Sequence, residues 1–294
     1  MRDLLADKFR TTLSLAGVSI GIFSIVAVLT VVDSLKESVN EGFRKFGSDV
    51  VMVERVPLEP DFDQDGRQKW WQYESRPQIT WQEYLFLKEK STTAGRMLFS
   101  ASFEMECAAG RESYKEGAFV AVEGDWRMMV QENILYGRGF TSGELSGGAA
   151  VAIIGSDVAK KLFPDITDPV GRMMTVGGTP LRVIGLFAPS GNNLVSMTDV
   201  DCVRMIPIRL ALRIVDITSP TLKTRIIASS HQAVEGPTEG ISKEELKAEL
   251  RMLMRQYRRL RPAQEDDFAL NELSFVAEQF HSLFGMVNRV GWLV

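Results

Sequence analysis

Residues 13–32 read LSLAGVSIGIFSIVAVLTVV, and this run contains no charged residue. An α-helix rises about 1.5 Å per residue, so twenty residues span ~30 Å, the hydrocarbon thickness of a bilayer. A cleaved signal peptide has a shorter apolar core followed by a small-residue cleavage site, and residues 32–36 (VDSLK) offer no such site. A buried core helix is the other alternative, but the hydroxyl residues of the run scatter around the helix and form no polar face. The run therefore predicts a transmembrane helix.

The glycines of this run, Gly17 and Gly21, are spaced as G-x-x-x-G. That spacing lets a second helix approach closely, so the two glycines are candidate helix-packing positions. Glycine is also common in membrane helices in general, and both explanations stay open at this point.

The basic residues around the run indicate its orientation. Three basic residues lie within residues 1–12, whereas the three that follow the run are accompanied by Glu37 and Glu41. This bias places residues 1–12 in the cytoplasm and the bulk of the chain outside it. Residues 33–46 keep apolar positions at helical spacing, so the membrane helix is expected to continue outward as a stalk helix.

Composition limits the class of the remaining ~250 residues, which are enough for one or two domains. The chain has 294 residues and a formal net charge of −4, which argues against a nucleic-acid partner. Its two cysteines, Cys107 and Cys202, could pair outside the cytoplasm. They could equally be two small buried side chains, and the sequence leaves the disulfide open.

The soluble part has an α+β texture with three segments. Residues 47–116 and 218–271 show strands and helices, and capping boxes at Thr80 and Ser242 each begin a helix. One strand is expected over residues 100–108, and the arginines between 251 and 261 are expected to form a solvated helix face. Residues 117–217 contain short apolar strands separated by glycines, which predicts a β-rich insert between two halves of one α/β unit.

Residues 272–294 carry apolar positions at helical spacing and end in GWLV. A tryptophan followed by apolar residues is typical of the edge of a membrane span. We expect a returning stalk helix and the start of a second membrane helix that is cut off. An amphipathic helix docked on the domain is the alternative.

Signals for catalysis or metal binding are few. The sequence contains no phosphate-binding G-x-x-x-x-G-K-[ST] motif and no G-x-S-x-G elbow, so no catalytic residue and no cofactor site is predicted. Asp61, Asp63 and Asp65 open like a calcium loop, although its twelfth position, Gln72, is not the usual glutamate. This is a weak calcium candidate, weighed against a solvated acidic turn.

An aromatic cluster follows that acidic segment. Trp70, Trp71 and Tyr73 are expected either to contact a partner or bilayer surface, or to form a local core under a long loop.

Several motifs resemble one family in order and spacing. Residues 8–14 (KFRTTLS), with Gly17 and Gly21, look like the first membrane helix of MacB/FtsX-like ABC transporter permeases. The stronger match lies in the insert. It comprises GRGF at 137–140, VAIIGS at 151–156, AKKLF at 159–163, DPVGR at 168–172 and VIG at 183–185.

This resemblance implies an architecture and partners. The family has an extracytoplasmic core with an α/β "porter" part and a β-rich "sabre" insert, held in the plasma (inner) membrane by four helices. It implies a permease homodimer and a separate or fused ABC ATP-binding subunit that binds ATP, with a periplasmic adaptor as a further candidate partner. Three of the four membrane helices are missing from this chain, so the resemblance suggests a fragment.

The sequence thus predicts a non-enzymatic permease subunit of an export or mechanotransmission complex, which couples ATP hydrolysis elsewhere to extracytoplasmic movement. The alternative is a single-span, membrane-anchored binding or scaffold protein.

Overall fold

The computed structural model describes residues 2–46, 50–59, 73, 75–130, 133–190, 198–216, 219, 222–230 and 242–272. Its first element is one continuous helix, α1 (Arg2–Phe46). The stretch Thr11–Leu35 of α1 is long and apolar enough to cross a membrane, and its most apolar window is not buried within the chain. The predicted membrane and stalk helices therefore form a single element.

Hydroxyl groups within this apolar stretch bond to their own helix. Ser24 Oγ donates to the carbonyl of Ile20 and Thr30 Oγ1 donates to that of Val26, both at 2.8 Å. Such back-bonding satisfies polar groups that a hydrocarbon environment could not.

Shorter helices lie in the rest of the described chain. They are α2 (Trp81–Lys90), α3 (Ser142–Gly147), α4 (Ser156–Leu162), α5 (Ile208–Ala211) and α6 (Lys243–Arg258), with a 3₁₀ turn at Trp126–Met128. The predicted capping boxes begin α2 and α6. Thr80 and Ser242 accept from the backbone of Glu83 and Glu245, whose carboxylates return the bond.

Twelve strands within the described residues form one sheet. They are β1 (Val50–Glu54), β2 (Ala94–Phe103), β3 (Cys107–Ala109), β4 (Glu112–Tyr114), β5 (Phe119–Gly124), β6 (Ile134–Gly137), β7 (Val151–Ile154), β8 (Met173–Val176), β9 (Thr179–Phe187), β10 (Arg204–Pro207), β11 (Lys223–Ser230) and β12 (Ala269–Glu272). Their order is β12-β1-β11-β2-β5-β10-β7-β9-β8-β3-β4, and β6 pairs with β9. The pairs β5–β10 and β7–β9 are parallel. This architecture confirms the predicted mixture of helices and strands.

Both faces of the sheet are buried, so many strands read as unbroken apolar runs. In β1, Val51 and Val53 face one core, which also receives the apolar side of α6. Val50 and Met52 face a second core, which contains Trp126. The alternation follows from the two-residue period of a strand.

The sheet curls so that distant strands meet. Arg204 of β10 holds its guanidinium carbon 5.2 Å from the ring of Tyr114 in β4, although four strands separate β10 from β4 in the sheet order. A strongly twisted sheet brings strands that are distant in its order close together in this way.

Chain order and sheet order differ around residue 117. The strand predicted over 100–108 is in fact two strands, because β2 ends at Phe103 and the chain then crosses to pair β3 with β8. β5, within the predicted insert, pairs along β2, within the predicted first half. Strand pairing thus crosses the expected boundary, and the division at 117 and 217 stays a prediction.

Candidate functional site

The strand at which the polypeptide enters the sheet, β1, lies beside the last strand described, β12. β1 begins four residues after α1 ends, and it pairs antiparallel with β12, the last strand described. Val51 lies opposite Glu272, and Glu54 lies opposite Ala269. The start of β1 and the end of β12 are therefore at the same end of adjacent strands. We call residues 266–272 the exit segment.

Helix α6 carries a row of basic residues that faces the exit segment. This basic row consists of Lys243, Lys247, Arg251, Arg255 and Arg258, at intervals of four, four, four and three residues. Such intervals place the side chains along one side of a helix.

The basic row makes ion pairs along the whole exit segment. The Nζ atoms of Lys243 and Lys247 lie 2.6 and 2.5 Å from the carboxylate of Glu272. Further along the helix, Arg251 and Arg255 lie 3.1 and 2.5 Å from the carboxylate of Asp266. Helix α6 is therefore bound to the exit segment at both of its ends.

Arg258 joins three parts of the chain. Its Nε donates to Glu83 Oε1 at 2.6 Å, and its Nη1 donates to Asp267 Oδ1 at 2.9 Å. The side chains of Arg258 and Glu83 are only 7% and 3% exposed. Because Glu83 also caps α2, this buried pair links α2, α6 and the exit segment.

The expectation of a solvated arginine face on α6 is wrong for two of its arginines. Arg258 is buried in the pair just described, and Arg255 donates to Asp266 and to the carbonyls of Gln264 and Arg261. The role of these arginines was missed because their partners lie outside the helix, in α2 and in the exit segment. Acidic residues at 266, 267 and 272 after a basic row at i, i+4 spacing were the available signal.

The electrostatics of Glu272 follow from this geometry. Burial raises the pKa of the carboxyl, but the hydrogen bonds and charges of Lys243 and Lys247 outweigh burial and lower the pKa to about 2. Glu272 is thus a carboxylate held ionised by two lysines.

Helix α6 is also fixed to the turn after α2. Glu249 accepts from the backbone amides of Thr92 and Thr93 at 2.9 and 3.0 Å and from the Ser91 hydroxyl at 2.6 Å. Burial raises the pKa of Glu249, but these hydrogen bonds lower it to about 2. The helix therefore contacts both ends of α2.

Asn271 secures the incoming strand. Its Nδ2 donates to Glu54 Oε2 at 2.6 Å and to the Val56 carbonyl at 2.9 Å, and its Oδ1 accepts from the Leu58 amide at 2.9 Å. Side-chain bonds from β12 therefore hold both β1 and the segment after it.

The residues singled out from the sequence lie elsewhere. Gly17 and Gly21 lie in α1, where an added Cβ would meet no atom within 4 Å. Both positions are thus open to a second helix, and their packing role stays a prediction.

The calcium candidate Asp61, Asp63 and Asp65 lies outside the described residues, as do Trp70 and Trp71. In the part of the chain that is described, no group of three or more metal-ligating side chains occurs. Tyr73 is 2% exposed and stacks under the Arg76 guanidinium, 4.7 Å from the ring centre. Tyr73 is therefore not an exposed partner contact, because its ring is packed into the domain.

The cysteines form no disulfide. Cys107 is buried and Cys202 is partly buried, and both are free thiols. Cys107 Sγ lies 3.6 Å from the Tyr114 carbonyl.

Comparisons with known proteins agree with this architecture. The macrolide export ATP-binding/permease proteins MacB of Shigella dysenteriae and of Escherichia coli K12 are each 29% identical over 185 residues, which is 63% of this chain and 27% of theirs. The chain thus spans about a quarter of the length of these curated relatives.

A solved structure shows the same fold. The periplasmic region of MacB from Actinobacillus actinomycetemcomitans covers 81% of this chain and 95% of its own length, with a TM-score of 0.58 at 14% identity. The family model of the MacB-like periplasmic core domain matches residues 11–253. Since that match covers most of the sequence, the chain belongs to the family of the MacB-like periplasmic core domain.

Proposed function

We propose that this chain is the membrane-anchoring and extracytoplasmic part of a permease subunit in an ABC-type export or mechanotransmission complex. A separate ATP-binding subunit hydrolyses ATP in the cytoplasm. The permease converts that cycle into movement of a substrate or partner outside the membrane, as a homodimer that a periplasmic adaptor can join.

The observation that carries this proposal is the pairing of β1 with β12. Helix α1, with an apolar stretch of membrane length, leads within four residues into β1, and β1 is bonded along its length to the strand from which the chain continues. A displacement of α1 would therefore act on β1 and, through the pairing of the two strands, on β12 as well. Rigid, contiguous contacts of this kind can carry motion between distant sites.

Helix α6 extends that contact into the domain. It is bound to the exit segment through five basic side chains and to both ends of α2 through Glu249 and Arg258. Movement of the exit segment would consequently move α6 and α2 with it.

The test is a helix break in α1 outside the apolar stretch. Ser38→Pro removes a backbone donor and costs about 3 kcal/mol of helix stability, whereas Ser38→Ala leaves the helix intact. Full-length protein is purified in detergent from its own host with its bound proteins, and hydrogen exchange of β1 and β12 is measured with and without ATP.

We expect an ABC ATPase to copurify with both variants. ATP should change exchange at β1 and β12 in wild type and in Ser38→Ala, and leave it unchanged in Ser38→Pro. The proposal fails if no ATPase copurifies, or if the proline variant responds to ATP like wild type.

A further inference from the structure

A pocket of about 520 Å³ opens beside the far end of the sheet. It lies between the end of β4 and α4, and it is lined by Ser113, Tyr114, Lys115, Glu116, Asp157, Lys160 and Lys161. Three lysines thus surround one concave surface.

Two of these lysines form no ion pair with any described residue. Lys160 is bound to Asp157 at 2.8 Å, but within the described ranges Lys115 and Lys161 make no ion pair. Glu116 is the acid of the lining that is likewise left unpaired there. The lining therefore carries more unpaired positive than negative charge.

A buried arginine lies directly behind the pocket wall. Arg204 is fully buried, and its guanidinium donates to the backbone carbonyls of Glu116 and of Gly117, the latter at 3.0 Å. It also packs against the rings of Tyr114 and Phe119, at 5.2 and 4.7 Å.

Among the described residues, no carboxylate balances the charge of Arg204. No acid forms an ion pair with it in the part of the chain that has been placed, and its Nε has no hydrogen-bond partner. A buried charge without a counter-ion is costly, and its field is weakly screened by the surrounding protein. Because Arg204 contacts Tyr114 and Glu116, this field acts on the pocket that they line.

We propose that the pocket binds a small oxyanion, the carboxylate or phosphate group of a soluble ligand, held by Lys115 and Lys161 in front of Arg204. Ammonium groups bind such anions as point charges, and the bound anion supplies a counter-charge that no described residue provides to Arg204. This site is independent of the coupling path at the other end of the sheet.

The test uses the full chain in detergent at constant ionic strength. Inorganic phosphate and citrate are titrated separately by calorimetry. The variant Lys161→Glu reverses one pocket charge, and the control Lys90→Glu makes the same change on the exposed end of α2. Both lysines are exposed, so both variants fold, and unfolding temperatures verify this.

We expect saturable binding of at least one of the two anions, weakened about tenfold or more by Lys161→Glu, which corresponds to about 1.4 kcal/mol, and unchanged by Lys90→Glu. Saturation by phosphate alone selects a phosphate ligand, and saturation by citrate alone selects a carboxylate. The proposal is overturned if neither anion saturates, or if Lys161→Glu binds as tightly as Lys90→Glu.

Discussion

Arg258 shows how one side chain can join three elements. Its guanidinium has charged partners in α2 and in the exit segment, and a backbone bond to Asp267 at 3.0 Å adds to the ion pair with the same residue. Removing one partner of a buried pair leaves the other charge without compensation, which is far more costly than losing an exposed pair.

We therefore expect Arg258→Met to lower the free energy of unfolding by about 3–5 kcal/mol, since Glu83 would stay buried and unpaired. Arg251→Met on the same helix should lose less than about 1 kcal/mol, because the side chain of Arg251 is 55% exposed. Urea unfolding of the full chain, followed by tryptophan fluorescence, measures both. If both variants lowered the free energy of unfolding equally, the Arg258 ion pairs would contribute no more than an exposed pair does.

Glu123 is a buried acid whose pKa is raised, whereas the pKa of Glu272 is lowered. It is 8% exposed, and its Oε2 has no hydrogen-bond partner among the described residues. Burial raises its pKa, and the charges of Arg209 and Lys88 lower it by less. The folded pKa is above the unfolded one, so folding favours the protonated form and the cost of the buried carboxylate grows as pH rises.

Glu123→Gln should accordingly stabilise the chain at pH 7, and the gain should vanish as the pH falls below the unfolded pKa near 4.5. Glu112→Gln, at an exposed position in β4, is the matched control and should change little. Thermal unfolding across pH 4 to 8 measures the difference. A gain that does not depend on pH would contradict the assignment.

At the level of elements, the ion pairs of α6 make the exit segment sensitive to acid. The folded pKa of Glu272 is about 2 and its ordinary value is 4.5. The stabilisation is therefore complete above the ordinary pKa and is lost as the pH falls from 4.5 toward 2.

We expect Glu272→Gln to destabilise the chain by about 1–3 kcal/mol at pH 7, and the difference from wild type to shrink on acidification. Glu265→Gln, an exposed neighbour of the exit segment, should behave as wild type. Unfolding free energies at pH 7 and pH 3 test this. A Glu272→Gln deficit that persists undiminished at pH 3 would sink the two-lysine explanation.

Elements with local signals were predictable, and those that depend on distant partners were not. Each capping box, Thr80 with Glu83 and Ser242 with Glu245, spans only four residues of sequence, so the two boxes located α2 and α6 correctly. The role of the basic row needed Glu83, which is 175 residues from Arg258. The sequence left Tyr73 open between a partner contact and a local core for the same reason, since loop composition does not show which rings the fold covers.

For the molecule as a whole, the apolar run and the family motifs were enough to predict the fold class. The strand order was beyond reach, because β3 and β4 are close in sequence to β2 but pair at the opposite end of the sheet. Residues 104–106, which connect β2 to β3, carry no sequence signal that the chain crosses to the other end of the sheet there. The buried charge of Arg204 was equally hidden, since its contacts come from β4 and β5.

The orientation of the whole molecule is testable by labelling. With the native cysteines replaced by serine, Glu112→Cys should react with a membrane-impermeant maleimide in intact spheroplasts, because residue 112 is exposed in β4 and the proposed orientation puts the domain outside the cytoplasm. Asp3→Cys should react only after lysis. The reverse pattern would place the domain in the cytoplasm.

The pairing of Val51 with Glu272 also determines how the domain would fail under tension. If the start of β1 and the end of β12 are pulled apart sideways, the two strands separate from that end, one residue pair at a time. If the strands are instead pulled along their axes, all residue pairs bear the load together in shear, which resists far more force. Lys243 and Lys247 bind Glu272, which belongs to the first residue pair at that end, so their ion pairs oppose the first step of strand separation.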